Sequence, residues 1–259
     1  MNHGRLTLTV VGSSCSIPRP GRACSGYLLE TPTGALVADL GTGSLANVLR
    51  VRPADSLDAV VISHMHADHF IDVIPLRYAL KYGDRTNDRR VALYLPPGGD
   101  AVLRTVVSAF AKESERDFIG EVFDVRTYEP SAALRIAESV VTFVPTSHYI
   151  ATYAIRCDAG GASVTYSADT APDDAVARFA RDTDAFVCEA TLSRAGEAED
   201  PPGHLSARQA ARLARSGSVA RLVLTHYPAS ADVASLVADA RAEFDGPIDV
   251  ADDGYALAL

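Results

Sequence analysis

The chain has 259 residues, 47% of them hydrophobic and 22% charged, which is an ordinary globular composition with enough length for one large α/β core. With 24 basic against 33 acidic residues the net charge is −9, which argues against broad electrostatic capture of extended nucleic acid. No apolar run nears the roughly 18 residues that a membrane helix needs. Met1 to Arg5 carries neither the basic start nor the apolar stretch of a signal peptide, so a cytoplasmic location is the expectation.

In chain order, Arg5 to Gly12 alternates apolar and polar residues, and Gly26 to Glu30 and Gly34 to Leu40 are further strand patterns. Asp39-Leu40-Gly41-Thr42-Gly43 ends the third strand, and Ser44 to Val51 fits a short helix. Asp58 to Ile62 is a β-branched run of the kind buried on both faces, and it stops at Ser63-His64. Leu76 to Tyr82 and Ala101 to Glu113 have helical spacing, on either side of a strand over Val91 to Leu95. Ser139 to Val144, Ala151 to Cys157 and Ala162 to Ser167 are three more strands, followed by apolar runs at Ala185 to Cys188 and Ala220 to Leu224. Helices are expected over Ser206 to Ser216, with Ser206 as cap, and over Ser230 to Phe244, before a last strand at Tyr255 to Leu259. The order is strands and then alternating elements, twice over, which suits two packed sheets with helices outside. One domain over residues 1–259 is expected. Cys15, Cys24, Cys157 and Cys188 show no C-x-x-C spacing and read as reduced, buried thiols.

The histidines carry the chemistry. His64-Met65-His66-Ala67-Asp68-His69 follows the buried strand directly. In an extended segment residues two apart face the same side, so His64 and His66 can grip one cation. Asp68 and His69 follow as the chain turns into a helix, within reach of a second ion. His148, Asp169 and His226 each follow a strand pattern and offer further ligands. Imidazole and carboxylate suit divalent zinc, and manganese or iron as well. A carboxylate such as Asp169 can bridge two cations roughly 3.5–4 Å apart, a geometry that brings the pKa of a shared water toward neutrality.

The set His64-x-His66-x-Asp68-His69, His148, Asp169 and His226 resembles the ligands of the metallo-β-lactamase superfamily, specifically its ribonuclease Z-like branch. The resemblance runs from Val10-Val11-Gly12-Ser13 to Pro247 and implies a four-layer αβ/βα sandwich of the α/β class. It implies one ion on His64, His66, His148 and Asp169, and a second on Asp68, His69, Asp169 and His226. It also implies that Asp39 orients a ligand histidine. Cys188-Glu189-Ala190-Thr191 and Gly203-His204-Leu205-Ser206-Ala207 resemble the segments bearing that branch's glutamate and its proton-donating histidine, so Glu189, His204 and Asp68 are the candidate catalytic residues. A histidine held by a carboxylate is what a general acid requires.

Only two strands and a turn fit between His148 and Asp169, which leaves no room there for the tRNA-gripping arm of true ribonuclease Z. The layout looks most like small bacterial cyclic-nucleotide phosphodiesterases. The implied reaction is hydroxide attack on the phosphorus of a 3′,5′-cyclic nucleotide, with protonation of the departing ribose oxygen by His204. A ribonuclease Z-like RNA 3′-end endonuclease, a phosphoribosyl cyclic phosphate hydrolase and a non-catalytic metal-binding protein stay open as alternatives, and the resemblance leaves room for a homodimer. The basic cluster Arg77, Lys81, Arg85, Arg89 and Arg90 reads more readily as a solvated face than as a phosphate collector.

Overall fold

The computed structural model describes residues 6–84, 86–111, 115–193 and 203–259, without the side chains of 115–117. The first half contains β1 (Thr7–Gly12), β2 (Gly26–Glu30), β3 (Ala35–Leu40), α1 (Ser44–Val51), a 3₁₀ turn (Ala54–Ser56), β4 (Ala59–Val61), α2 (Ala67–Phe70), α3 (Val73–Tyr82), β5 (Val91–Leu95), α4 (Gly99–Ser108), α5 (Glu115–Gly120) and β6 (Phe123–Thr127). The second half contains β7 (Leu134–Ile136), β8 (Ser139–Pro145), β9 (Tyr153–Ala159), β10 (Ala162–Tyr166), α6 (Asp174–Phe179), β11 (Ala185–Glu189), α7 (Ala207–Ser216), β12 (Leu222–Thr225), α8 (Val233–Arg241) and β13 (Ile248–Val250). The C-terminal strand β14 (Ala256–Ala258) returns to pair with β1.

Among the described residues these strands form two 7-stranded sheets, in the orders β14-β1-β2-β3-β4-β5-β6 and β13-β12-β11-β10-β9-β8-β7. In each sheet four strands meander antiparallel and three follow in parallel, joined by helical crossovers. Alternation along the strands builds the layers. Leu36, Ala38, Ala59 and Val61 from one sheet and Ala185, Val187 and Val223 from the other share the core between the sheets. Their neighbours Val37, Val60 and Ile62 face outward onto Leu45, Val48, Leu76 and Leu80 of α1 and α3. Phe186, Cys188, Leu222 and Leu224 face outward onto Ala210, Ala214 and Leu236 of α7 and α8. Central strands covered on both faces lose the polar alternation, which is why Asp58 to Ile62 reads as one continuous apolar run. The result is helix, sheet, sheet, helix: the expected four-layer αβ/βα sandwich.

Boundaries moved where local chemistry overrides periodicity. The third helix starts at Val73 rather than Leu76, because Pro75 in a first turn has no hydrogen-bonding duty to fail. The helix expected over 101–113 runs from Gly99 to Ser108, and Glu113 lies outside the described residues, as do Arg5 and His3. The last helix is shorter than expected because Asp232 caps it, accepting the Ser235 N–H at 3.0 Å. Ser206 caps α7 as expected, in a reciprocal capping box with Gln209. The short elements α5, β6, β7, α6 and β13 have no counterpart in the sequence reading. All four cysteines are free and buried.

Candidate metal centre

The carboxyl ends of the central strands in both sheets meet at one place, where polar residues gather while the strands behind them are closed by core packing. Asp39 is the penultimate residue of β3, Asp169 follows β10, Glu189 ends β11 and His226 follows β12. Asp39, Ala168 and His226 take left-handed backbone angles, φ 58, 50 and 53°. Such angles cost a non-glycine residue on the order of 1–3 kcal/mol and gather at functional sites. From β4 the chain runs extended to His66, which stands at the N-cap position of α2 without a side-chain cap bond, and the His64 and His66 rings meet edge to face with centroids 4.9 Å apart. The one-turn helix then delivers Asp68 and His69. Gly41 makes the close approach possible, since a Cβ there would lie 1.8 Å from the Asp68 carbonyl oxygen.

Hydrogen bonds on the far side of each ring set its tautomer. The Asp39 carboxylate, fully buried, accepts from His69 Nδ1 at 2.7 Å, from the Ser63 N–H and hydroxyl at 2.7 Å each, and from the Tyr166 hydroxyl at 2.9 Å. Because the Ser63 hydroxyl donates to Asp39, it accepts from His64 Nδ1 at 3.0 Å. The Gly203 carbonyl accepts from His148 Nδ1 at 2.7 Å. The Thr191 hydroxyl donates to the His226 carbonyl and so accepts from His226 Nδ1 at 2.8 Å. With each Nδ1 so engaged, four imidazoles turn their Nε2 atoms inward, and these converge.

His64 Nε2 and His148 Nε2 each lie 3.2 Å from His66 Nδ1, and each lies 3.7 Å from Asp169 Oδ2. His69 Nε2 lies 3.4 Å from both Asp68 Oδ2 and Asp169 Oδ1, and His226 Nε2 lies 3.5 Å from the same two oxygens. Four overlapping groups among the described residues could hold a cation, His64-His66-His148-Asp169, Asp68-His69-His226, Asp39-His64-His69 and Asp169-His204-His226, and Asp169 reaches both of the first two. A proton on His66 Nδ1 relieves only part of the crowding of lone pairs in the first group, whereas a cation relieves all of it. In the second group His69 Nε2 and Asp169 Oδ1 are buried and have no hydrogen-bond partner. Orphaned buried acceptors are costly, and a divalent ion is the partner their chemistry fits.

Charge follows the same division. Burial, seconded by neighbouring imidazoles, holds His64 well below its ordinary pKa, and burial also lowers His66 and His148, so all three are neutral bases. Burial opposes a positive His69 too, but Asp169 and Asp39 on either side outweigh it and raise its pKa well above the usual value. Burial opposes the charged form of Asp169, yet His226, His69 and His64 hold its pKa well below the usual range. The carboxylates thus call for positive charge in the second group, supplied by a proton or a metal.

His204 stands at the edge of this centre with its side chain 19% exposed. Its Nδ1 donates to Glu189, 3.0 Å from Oε1 and 3.2 Å from Oε2, and lies 3.9 Å from Asp169 Oδ2. Glu189 is fully buried and is fixed by the Thr170 N–H at 2.7 Å. Burial disfavours the imidazolium at His204, but the Glu189 hydrogen bond and charge, with Asp169, prevail and raise its pKa.

The structure brings the sequence candidates His64, His66, Asp68, His69, His148, Asp169 and His226 together, with the His204–Glu189 pair beside them and Asp39 behind His69. Sequence reasoning assigned no role to Ser63, Thr191, Tyr166 or the Gly203 carbonyl. Ser63 and Thr191 stood inside quoted motifs, but their partners are tertiary. The basic cluster faces elsewhere. Arg77 is buried against the Phe118 carbonyl and Glu121, Lys81 also meets Glu121, Arg89 pairs with Asp58, and Arg90 bonds the Gly120 carbonyl. Arg85 lies outside the described residues.

Comparison with known proteins points to one family. Residues 36–227 match the β-lactamase superfamily domain. The uncharacterized protein ML1173 of Mycobacterium leprae is 34% identical, covering 96% of this chain and 88% of its own length. The probable metallo-hydrolase YhfI of Bacillus subtilis is 29% identical, covering 96% of this chain and 98% of its own. The crystal structure of YhfI, described as a metallo-β-lactamase fold protein, superposes with a TM-score of 0.87 at 25% identity over 97% of this chain and 98% of that one. The ribonuclease Z of Myxococcus xanthus is 28% identical and covers 98% of both chains. The fold, the convergent imidazoles and carboxylates, and relatives matched over nearly the full length lead to one assignment: the chain belongs to the metallo-β-lactamase superfamily, as a metallo-hydrolase of its ribonuclease Z-like branch.

Proposed function

We propose that this chain is a dinuclear phosphodiesterase that hydrolyses a small cyclic phosphodiester, with a 3′,5′-cyclic nucleotide as the substrate. The observation that carries this reading is that Asp169 touches both ligand groups while the His204–Glu189 pair stands 3.9 Å away. His64, His66, His148 and Asp169 would hold one divalent ion, zinc by donor chemistry, and Asp68, His69, Asp169 and His226 a second. Such ions activate a water near neutral pH and stabilise charge on phosphoryl oxygens. Asp39, Ser63, Thr191 and the Gly203 carbonyl keep the imidazole lone pairs aimed inward. His204, with Nδ1 occupied by Glu189, is left with Nε2 to hand a proton to the departing ribose oxygen. Glu189 fixes the tautomer and supports the charge until that transfer.

The net charge of −9 and the pairing of Arg77, Lys81 and Arg89 with carboxylates favour a small substrate over an extended RNA. RNA 3′-end cleavage is the second reading, favoured by the ribonuclease Z relative. One turnover screen separates them, with metal-loaded protein offered cyclic mononucleotides, cyclic dinucleotides, bis(p-nitrophenyl) phosphate and precursor tRNA. Turnover of a cyclic mononucleotide, abolished by His66→Ala, is the expected result. Cleavage of precursor tRNA in preference to every mononucleotide would establish the second reading, and inactivity on all four would leave a metal-binding protein without phosphodiesterase function.

A further inference from the structure

Tyr149 follows His148 directly and is 57% exposed, although its ring centroid lies 4.9 Å from that of His148. It meets the His204 ring edge-on, at 6.0 Å and 69°. The ring does not swing freely. Its hydroxyl accepts the Gly203 N–H at 3.2 Å, while the Gly203 carbonyl takes the proton of His148 Nδ1 at 2.7 Å. A Cβ on Gly203 would sit 2.1 Å from the Tyr149 Cζ, so only glycine lets the ring pack against this backbone. The tyrosine oxygen is thereby tied to the Gly203 backbone, and an aromatic surface held at that end stands in solvent beside His204.

We infer that Tyr149 is a specificity-determining residue, a stacking platform for the nucleobase of the substrate. This rests on the cyclic-nucleotide reading above. In a 3′,5′-cyclic nucleotide the departing oxygen and the base belong to one ribose. When the departing oxygen approaches His204, the base is carried to the neighbourhood of the ring that flanks His204. Stacking of a base on an aromatic side chain needs no hydrogen-bond readout and tolerates any base. With a net charge of −9, long-range attraction for a phosphate is weak, which shifts recognition onto contacts of this kind.

The test compares two substrates of the metal-loaded full chain: 3′,5′-cyclic AMP and the 3′,5′-cyclic phosphate of methyl riboside, which has a methoxy group where the base would be. Wild type favours cyclic AMP, mainly through KM, by about tenfold or more if one base stacks. Tyr149→Ala and Tyr149→Leu each erase that KM preference, and Tyr149→Phe keeps it. Inhibition by adenosine, which has no phosphate to engage a metal, weakens in parallel with the preference in the Ala and Leu variants. A preference that survives both substitutions overturns the inference while leaving the phosphodiesterase reading intact. A loss of kcat equal for both substrates also overturns it, since that marks a role through His148 alone. Wild-type protein that turns over neither substrate removes the cyclic-nucleotide reading and this inference together.

Discussion

The two halves of the molecule repeat one topology and equip the same cavity in opposite ways. Both sheets run four strands antiparallel and then three in parallel, yet the first half delivers His64, His66, Asp68 and His69 from one segment behind β4, while the second half sends His148, Asp169, Glu189, His204 and His226 from separate loops. A local motif needs only a strand end and a helix start to be formed. The scattered set needs β8, β10, β11 and β12 to be in register before any two of its members meet. Asp169 and the His204–Glu189 pair, to which we assign the link between the ligand groups and proton transfer, both come from the scattered set. The first half offers a grip, and the second half turns it toward chemistry.

That division can be broken experimentally. Among variants that leave the ligand groups intact, the largest effect is expected at His204, the proposed proton donor of the second half. His204→Ala should lower kcat by about 10²- to 10⁴-fold, the usual worth of general acid catalysis, while metal content stays at the wild-type level. Glu189→Gln acts through the same imidazole. Glu189 raises the pKa of His204, so its loss lowers that pKa, and the protonated donor disappears at lower pH. The basic limb of the kcat profile should move to lower pH in Glu189→Gln, and a limb that stays in place would separate Glu189 from proton transfer. A smaller effect follows from the buried partners that hold the rings. Asp39→Asn removes the carboxylate that fixes His69 and should weaken metal affinity by about 10- to 100-fold, the range seen for such outer partners. Thr191→Val removes the acceptor for His226 Nδ1 alone and should cost less than Asp39→Asn, because Asp39 also ties down Ser63 and Tyr166. Competition against a chelator of known affinity reads both, and equal losses would erase the ranking.

The same contrast explains what the sequence made legible. His64-x-His66-x-Asp68-His69 announces itself because the spacing alone puts donors on one side of one segment. His148, Asp169 and His226 are readable as residues at strand ends, but their convergence became an expectation only through resemblance to a family. Ser63, Thr191 and the Gly203 carbonyl carried no signal. A serine, a threonine and a backbone oxygen acquire their role from the ring that happens to face them. In the fold, the two-sided burial of Val60 and Val187 gives strong strand patterns. The edge strands β7 and β13 span three residues each, too few for any period to register. Pro75 and Asp232 moved helix ends that hydrophobic spacing could not date to the residue.

If two ions share Asp169 as proposed, metal content measured beside activity will show it. Wild-type protein stripped by a chelator and titrated with zinc should recover activity on a phosphodiester as the ratio approaches about two ions per chain, the stoichiometry of a bridged site. Asp169→Asn should remain folded, hold fewer ions and stay inactive at every ratio. Full activity at one ion per chain, or an Asp169→Asn protein that binds two ions and turns over substrate like wild type, would contradict the account.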